Sequence, residues 1–225
     1  MEHNVIFNLE KRSNKLFILL ILADLVFMLI HVLYTMDVVT NPLWSIKKDF
    51  GYAERYQYIK EGWIVLLLFI MAIKRSHIIY LTWSTLFMYL LLDDSLRIHE
   101  RMGSYLFIYF KLQPAFNLRG QDFGELGVSM LFGSLLFLFI GCAYLFCDTV
   151  AKQISKHLFI LVLALAFCGV FVDTFHRAIP FGPFGKSIRV LVEDGGEMLI
   201  MSIIVVYVFN LKVTSKESTI VHEYV

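Results

Sequence analysis

Charge is scarce in this chain. Asp, Glu, Lys and Arg make up 17% of its 225 residues, against about 25% in soluble domains. Twenty basic and nineteen acidic residues leave a net charge of +1, so no basic face advertises nucleic acid. Four prolines and thirteen glycines exclude a collagen and a Pro/Gly-rich disordered chain. Three cysteines exclude a small disulfide scaffold. Cys142, Cys147 and Cys168 lie in apolar runs and read as inert buried thiols. There is no nucleotide-binding glycine loop, no Gly-x-Ser-x-Gly and no His-Glu-x-x-His, which sets aside the dinucleotide, serine-hydrolase and zincin readings. What fills the space is apolar: 58% hydrophobic residues, 21 of them Phe. The expected fold class is an all-α integral membrane protein.

Six apolar segments approach the ~20 residues a helix needs to cross ~30 Å of hydrocarbon: 16–37, 53–73, 78–100, 123–146, 157–179 and 188–210. Together they make one six-helix domain over 1–225, with a polar C-terminal tail at 212–225. The first segment has the charge layout of a signal peptide but is too long, carries Asp24 and His31, and lacks a small-residue cleavage site, so it reads as a retained anchor. Lys11, Arg12 and Lys15 before it, and the tight Lys74-Arg75 connection, place the N-terminus in the cytoplasm by the positive-inside rule. The expected location is a bacterial inner membrane. All four prolines and most acidic residues fall on the opposite side. That elaborated face is where function is expected.

The acids there must be submerged. The second segment is free of charge only from Gly62 to Ile73, the third from Ile78 to Leu92 and the sixth from Met198 to Asn210. At ~1.5 Å per residue these cover roughly 18–23 Å, short of the ~30 Å core. Spanning pulls Glu61, Asp93, Asp94, Glu193, Asp194 and Glu197 into the outer leaflet. Buried charges there need partners or a water-filled cavity.

The last two hairpins share a pattern. Asp94 and His99 close one helix before Asp122-Phe123-Gly124-Glu125 opens the next; Asp173 and His176 do the same before Asp194-Gly195-Gly196-Glu197. His31 and Glu61-Gly62 give a fainter third copy, which predicts three pseudo-repeated hairpins. Such a repeat would bring His31, His99, His176, Glu61, Glu125 and Glu197 toward one outer cavity, with Asp93, Arg97 and Glu100 on one stripe of a continuous third helix.

Imidazoles and carboxylates in one place are what Zn²⁺, Fe²⁺ or Mn²⁺ binds, and helical bundles build di-metal sites from such residues. The expected ligands are His99, His176, Glu125, Asp173, Glu193 and Glu197. Asp94, Glu100 and Arg97 are the expected catalytic residues, and Asp24, His31 and Glu61 a polar path beyond them. A divalent metal there would lower the pKa of a bound water for hydrolysis, or activate oxygen. Membrane lipids are the expected partners and substrates, with Arg97, Arg101, Arg177 or Arg189 available to a phosphate or carboxylate. A homo-oligomer is compatible with the sequence. Three alternatives stand beside this reading: a structural ion network of the same acids and arginines, a cation or proton channel, and a non-catalytic regulatory subunit. His77 and His157 read as interfacial residues rather than haem ligands, because their separations from His99 and His176 put each pair at opposite faces.

The stretch Leu92-Asp93-Asp94-Ser95-Leu96-Arg97-Ile98-His99-Glu100-Arg101-Met102-Gly103 resembles a recurring segment of uncharacterised bacterial integral membrane proteins, Leu-Asp-Glu-x4-His-Glu, with Asp94 where that pattern has Glu. Gly51-Tyr52-Ala53-Glu54 and Gln57-Tyr58-Ile59-Lys60-Glu61 resemble the same group. The resemblance implies a multi-pass membrane protein and attaches no activity. A looser likeness to membrane hydrolases of the alkaline ceramidase kind implies His and Asp around zinc, but their seven spans and paired histidines on the last helix are missing.

Overall fold

A computed structural model describes the backbone of residues 2–115, 118–172 and 183–223, and the side chains of 13–115, 118–169 and 189–211. Among the described residues seven helices follow one another: α1 (Glu2–Thr35), α2 (Tyr52–Arg75), α3 (Ile78–Leu96), α4 (Ile98–Phe110), α5 (Gly120–Leu145), α6 (Thr149–Ala166) and α7 (Pro183–Glu223). A 3₁₀ turn at Pro42–Trp44 sits between α1 and α2, and a π-helical segment, Phe167–Val172, extends α6. The all-helical expectation holds among the described residues.

Four of the helices are long and apolar enough to cross a membrane: Ser13–Thr35, Tyr52–Arg75, Gly120–Leu145 and Thr149–Gly169. Six were expected. The two that fall short are α3, which ends on Asp93 and Asp94, and α7, which carries Arg189, Glu193, Asp194 and Glu197. Their apolar runs are the ones that charge interrupts. Rows of exposed apolar side chains, Ile18, Leu22, Leu25 and Leu29 on α1 and Leu131, Leu135 and Leu138 on α5, would be an aggregation liability in water and suit a lipid solvent.

The helices pack around α2, α3 and α7. Their buried stripes, Ile64, Leu68 and Met71 on α2, Ile79, Trp83 and Phe87 on α3, and Met201, Ile204, Val205 and Val208 on α7, meet Leu158 of α6 in one core. The spacing of each stripe is that of one helix face.

The expected third span, 78–100, is not one helix. Arg97 adopts a left-handed conformation (φ 53°, ψ 49°) that ends α3, and α4 starts at the next residue. A non-glycine residue in this region costs roughly 1–2 kcal/mol. Asp93 offsets it: its Oδ1 accepts from the His99 backbone N–H at 2.7 Å and its Oδ2 meets the His99 ring at 2.9 Å. The helical stripe expected through Asp93, Arg97 and Glu100 is therefore broken. The expected fifth span likewise starts earlier, at Thr149, where the Asp148 carboxylate caps the helix by accepting from Ala151 N–H.

At thirteen residues α4 is too short to cross a bilayer. It exposes Tyr105, Ile108, Tyr109 and Phe110, a set that suits the membrane–water boundary. Its other face docks on α5 through Gly103 and Gly124. A Cβ on Gly124 would collide with the Gly103 carbonyl oxygen, and one on Gly103 would come 2.6 Å from the Glu125 backbone nitrogen. Gly124→Ala is expected to cost about 1–3 kcal/mol by forcing the two backbones apart, read as a lower melting temperature in detergent. Gly127→Ala, where nothing lies within 4 Å, should leave it unchanged or higher.

Candidate functional site

A chamber of about 360 Å³ lies between the ends of α2, α3, α4 and α7. Gln57 and Glu61 of α2 line it with Tyr89, Asp93 and Asp94 of α3, His99 of α4 and Glu197 of α7. Apart from Ser129 of α5, the rest of its wall is apolar, contributed mainly by α3, α5 and α6, including Leu86, Leu90, Phe137, Val162 and Leu165. A smaller annex of about 150 Å³ shares Gln57, Asp94 and Glu197 with it and adds Glu54 and Asp194. A wider, more open recess near the α4–α5 connection, about 630 Å³, has neither carboxylate nor imidazole in its lining.

Glu61 is 1% exposed and lines the chamber together with Asp94 of α3, near enough for the two carboxyl groups to interact. Glu197 is near enough to act on Glu61 electrostatically. Three polar atoms of the lining are buried and have no hydrogen-bond partner: Glu61 Oε2, Gln57 Oε1 and Tyr89 Oη. Unpartnered buried acceptors are costly, about 1–3 kcal/mol each, so this part of the wall is where a hydrogen-bonding guest, water or ligand, would be taken. Glu197 reaches its place because residue 169 is glycine; a Cβ there would overlap its Oε1.

His99 is held through Nδ1 by Asp93, an arrangement that leaves Nε2 for another partner and is the usual way a metal-ligating imidazole is oriented. The Asp93 hydrogen bond raises the His99 pKa above its ordinary 6.5, against the opposing effect of burial. Since the folded value lies above the unfolded one, the pair's contribution to stability is full below about pH 6.5 and is lost as pH rises through the raised value. Asp93→Asn is expected to lower the His99 titration midpoint seen by NMR and to flatten this slope; an unchanged midpoint would show that Asp93 does not set it.

Beside the chamber lies a second buried polar group. Lys60 Nζ donates to Asp24 Oδ1 at 2.9 Å, to the Met198 carbonyl at 2.8 Å and to Ser202 Oγ at 3.3 Å, and Ser202 donates to Asp24 Oδ2 at 2.5 Å. Lys60, Asp24 and Ser202 are each 0% exposed. Asp24 stands eleven residues from either end of Ser13–Thr35, about 16 Å each way, which is the middle of the segment. This pair ties α1, α2 and α7 together where apolar packing has little driving force in lipid.

The expected site residues separate into those the chamber gathers and those it does not. Asp94, His99, Glu61 and Glu197 line it. Arg97 pairs with Glu100, and with Asp49 at 3.2 Å, so those two expected catalytic residues are engaged at the surface end of α3. Glu125 accepts from Gln121 at 2.9 Å and lies at the α4–α5 contact. Glu193 pairs with Arg189 at 3.6 Å. Asp24 bonds Lys60 rather than extending a path with His31, whose Nδ1 meets Ser45 Oγ at 3.2 Å. Asp173 and His176, and with them Arg177, lie outside the described residues. The hairpin repeat therefore does not make equivalent sites: Glu125 and Glu197 hold matching sequence positions and different surroundings. Among the described residues no three His, Cys, Asp or Glu side chains converge closely enough to share an ion.

Sequence reasoning missed Lys60, Gln57, Tyr89 and Ser202. Lys60 had a signal, a cation next to Glu61 at the edge of the charge-free run and in need of a counter-charge as submerged as itself. Tyr89 and Ser202 sit within apolar runs and carry none.

An all-helical membrane-type chain with an acidic, half-apolar chamber is thus the class that fold and geometry define. The chain belongs to a family described as a domain of unknown function (DUF8692), whose model matches residues 15–211. No curated protein and no solved structure matches it.

Proposed function

We propose that this protein is a membrane-embedded, metal-dependent enzyme of the hydrolase or oxidase type, acting on a lipidic substrate in the chamber between α2, α3, α4 and α7. In this reading six segments cross a bacterial inner membrane, α3 and the apolar part of α7 joining the four long apolar helices, with the N-terminus cytoplasmic and the chamber in the opposite leaflet. The observation that carries it is the set of unpartnered buried acceptors, Glu61 Oε2 and Gln57 Oε1, beside a carboxyl pair and an oriented imidazole. Ligand sites are cavities of roughly 300–1,000 Å³ with few, convergent polar groups and apolar walls, and the chamber fits that description.

The donors suited to a divalent ion are Glu61, Asp94, Glu197 and His99 Nε2, which line one chamber and would have to draw together to share an ion. Of the described members of the set read from sequence, His99 and Glu197 line the chamber and Glu125 and Glu193 do not. Glu61, Asp94, Glu197 and His99 would hold the ion, which would supply Lewis-acid activation of a water or of the substrate. Asp93 orients His99, and Gln57 and Tyr89 are placed to hydrogen-bond a bound molecule. On the far side of the chamber Trp83, Phe137 and Phe159 stack edge to face, and below them the core is apolar. A closed chamber is favoured by this over a conducting path.

The test is calorimetric titration of chelator-treated, purified protein with Mn²⁺ or Zn²⁺. One equivalent should bind, more weakly as pH falls because carboxylate and imidazole ligands must be deprotonated to bind. Absence of binding at neutral pH would leave the chamber as a site for an organic ligand alone.

A further inference from the structure

The chamber is polar at one end and apolar at the other, and the apolar end is walled by two helices that meet at the Phe137–Phe159 ring pair. α5 contributes Gly133, Leu136 and Phe137, and α6 contributes Val162, Leu165 and Ala166. Although consecutive, these helices pack mainly elsewhere, α5 on α3 and α4, and α6 on α7 and the π segment. The side of the chamber between them is left to small or half-buried residues: Gly133, and Ala166, which is exposed. Among the described residues nothing lies within 4 Å of the position a Gly133 Cβ would take, so that residue leaves room in the wall rather than making a packing contact with them.

We infer that the chamber takes an amphiphile that enters sideways from the bilayer between α5 and α6, its hydrocarbon chain along Leu136, Val162 and Leu165 and its hydroxyl- or amine-bearing head on Glu61 and Gln57. This rests on the lipidic substrate proposed above and specifies its chemistry and its route. A donating head suits the buried free atoms: Glu61 Oε2 and Gln57 Oε1 are acceptors, and Tyr89 Oη accepts as well as donates. An anionic head without a metal would face the Glu61–Asp94 pair and Glu197 at short range in a medium that screens poorly. A lateral route follows from the surroundings, because a chain held in hydrocarbon reaches this wall without passing through water.

The experiment uses two photoreactive probes in nanodiscs, each with a diazirine in its acyl chain: a monoacylglycerol, whose head has two free hydroxyls, and the matching lysophosphatidic acid. With chelator present, the monoacylglycerol is expected to label Leu136–Phe137 or Leu165–Ala166, and lysophosphatidic acid to label them at least tenfold less. Gly133→Leu should cut the monoacylglycerol label at those positions at least tenfold while leaving label on the lipid face of α1 unchanged. Gly141→Leu, an equally open glycine on the same helix outside the chamber, should change neither, which guards against a general folding defect. Equal labelling of chamber and lipid face in wild type and Gly133→Leu, or equal labelling by both probes, would overturn the proposal. Because the chelator removes metal, failure here is separate from failure of metal binding in the titration.

Discussion

Lys60→Met is expected to destabilise the protein by about 3–5 kcal/mol, the usual cost of removing one partner from a buried ion pair. The substitution keeps the length and apolar stem of the side chain, so the loss comes from Asp24, left 0% exposed with only Ser202 to bond it. The double variant Asp24→Leu, Lys60→Met removes both charges and should recover most of the loss, since replacing a buried pair by apolar residues of similar volume is often neutral. Thermal unfolding in detergent of the two single variants and the double variant measures this as a cycle. Single variants as stable as wild type would mean that water or another cation reaches Asp24, and the account of α1, α2 and α7 being tied at mid-membrane would be wrong.

The second large effect is at Glu61. Glu61→Gln should weaken Mn²⁺ binding by at least about a hundredfold, beyond the 10–100-fold that outer-shell changes cost. Asp93→Asn should fall within that lower range, because Asp93 acts through His99. Glu125→Gln should change nothing. The contrast is informative because Glu125 and Glu197 occupy the same place in the sequence repeat, and only the folded chain separates them. Loss of binding in Glu125→Gln would restore the repeat as the organising feature and displace the chamber.

The helical, membrane-type character was legible in composition because apolar runs of this length have few other uses. The submerged acids were legible too, from simple lengths: a charge-free run of twelve residues on α2 cannot span, so Glu61 goes inward, and it is found 1% exposed. What failed was continuity. The run through Asp93 to Glu100 has good helical spacing, yet its geometry turns on one side chain: Asp93 satisfies the His99 backbone N–H and so stabilises a left-handed Arg97. That capture is a tertiary-scale choice between two hydrogen-bond patterns that periodicity does not distinguish. Spacing was equally silent on which of the expected ligands share a cavity. Spacing places Glu125 and Glu193 on helix faces but does not say which neighbour each face meets; Gln121 and Arg189 one turn away proved to be nearer partners than the chamber. Lys60 was overlooked because a lysine at a helix end normally snorkels to water, and here Asp24 on another helix holds it inside.

The chamber's role as a cation site is tested most directly by an anomalous-difference map from crystals of the protein soaked in Mn²⁺. A single peak between the carboxylates of Glu61, Asp94 and Glu197, with the His99 ring turned toward it, is the predicted result. A peak at Arg97–Glu100, at Glu125 or at Glu193, with none in the chamber, would contradict it.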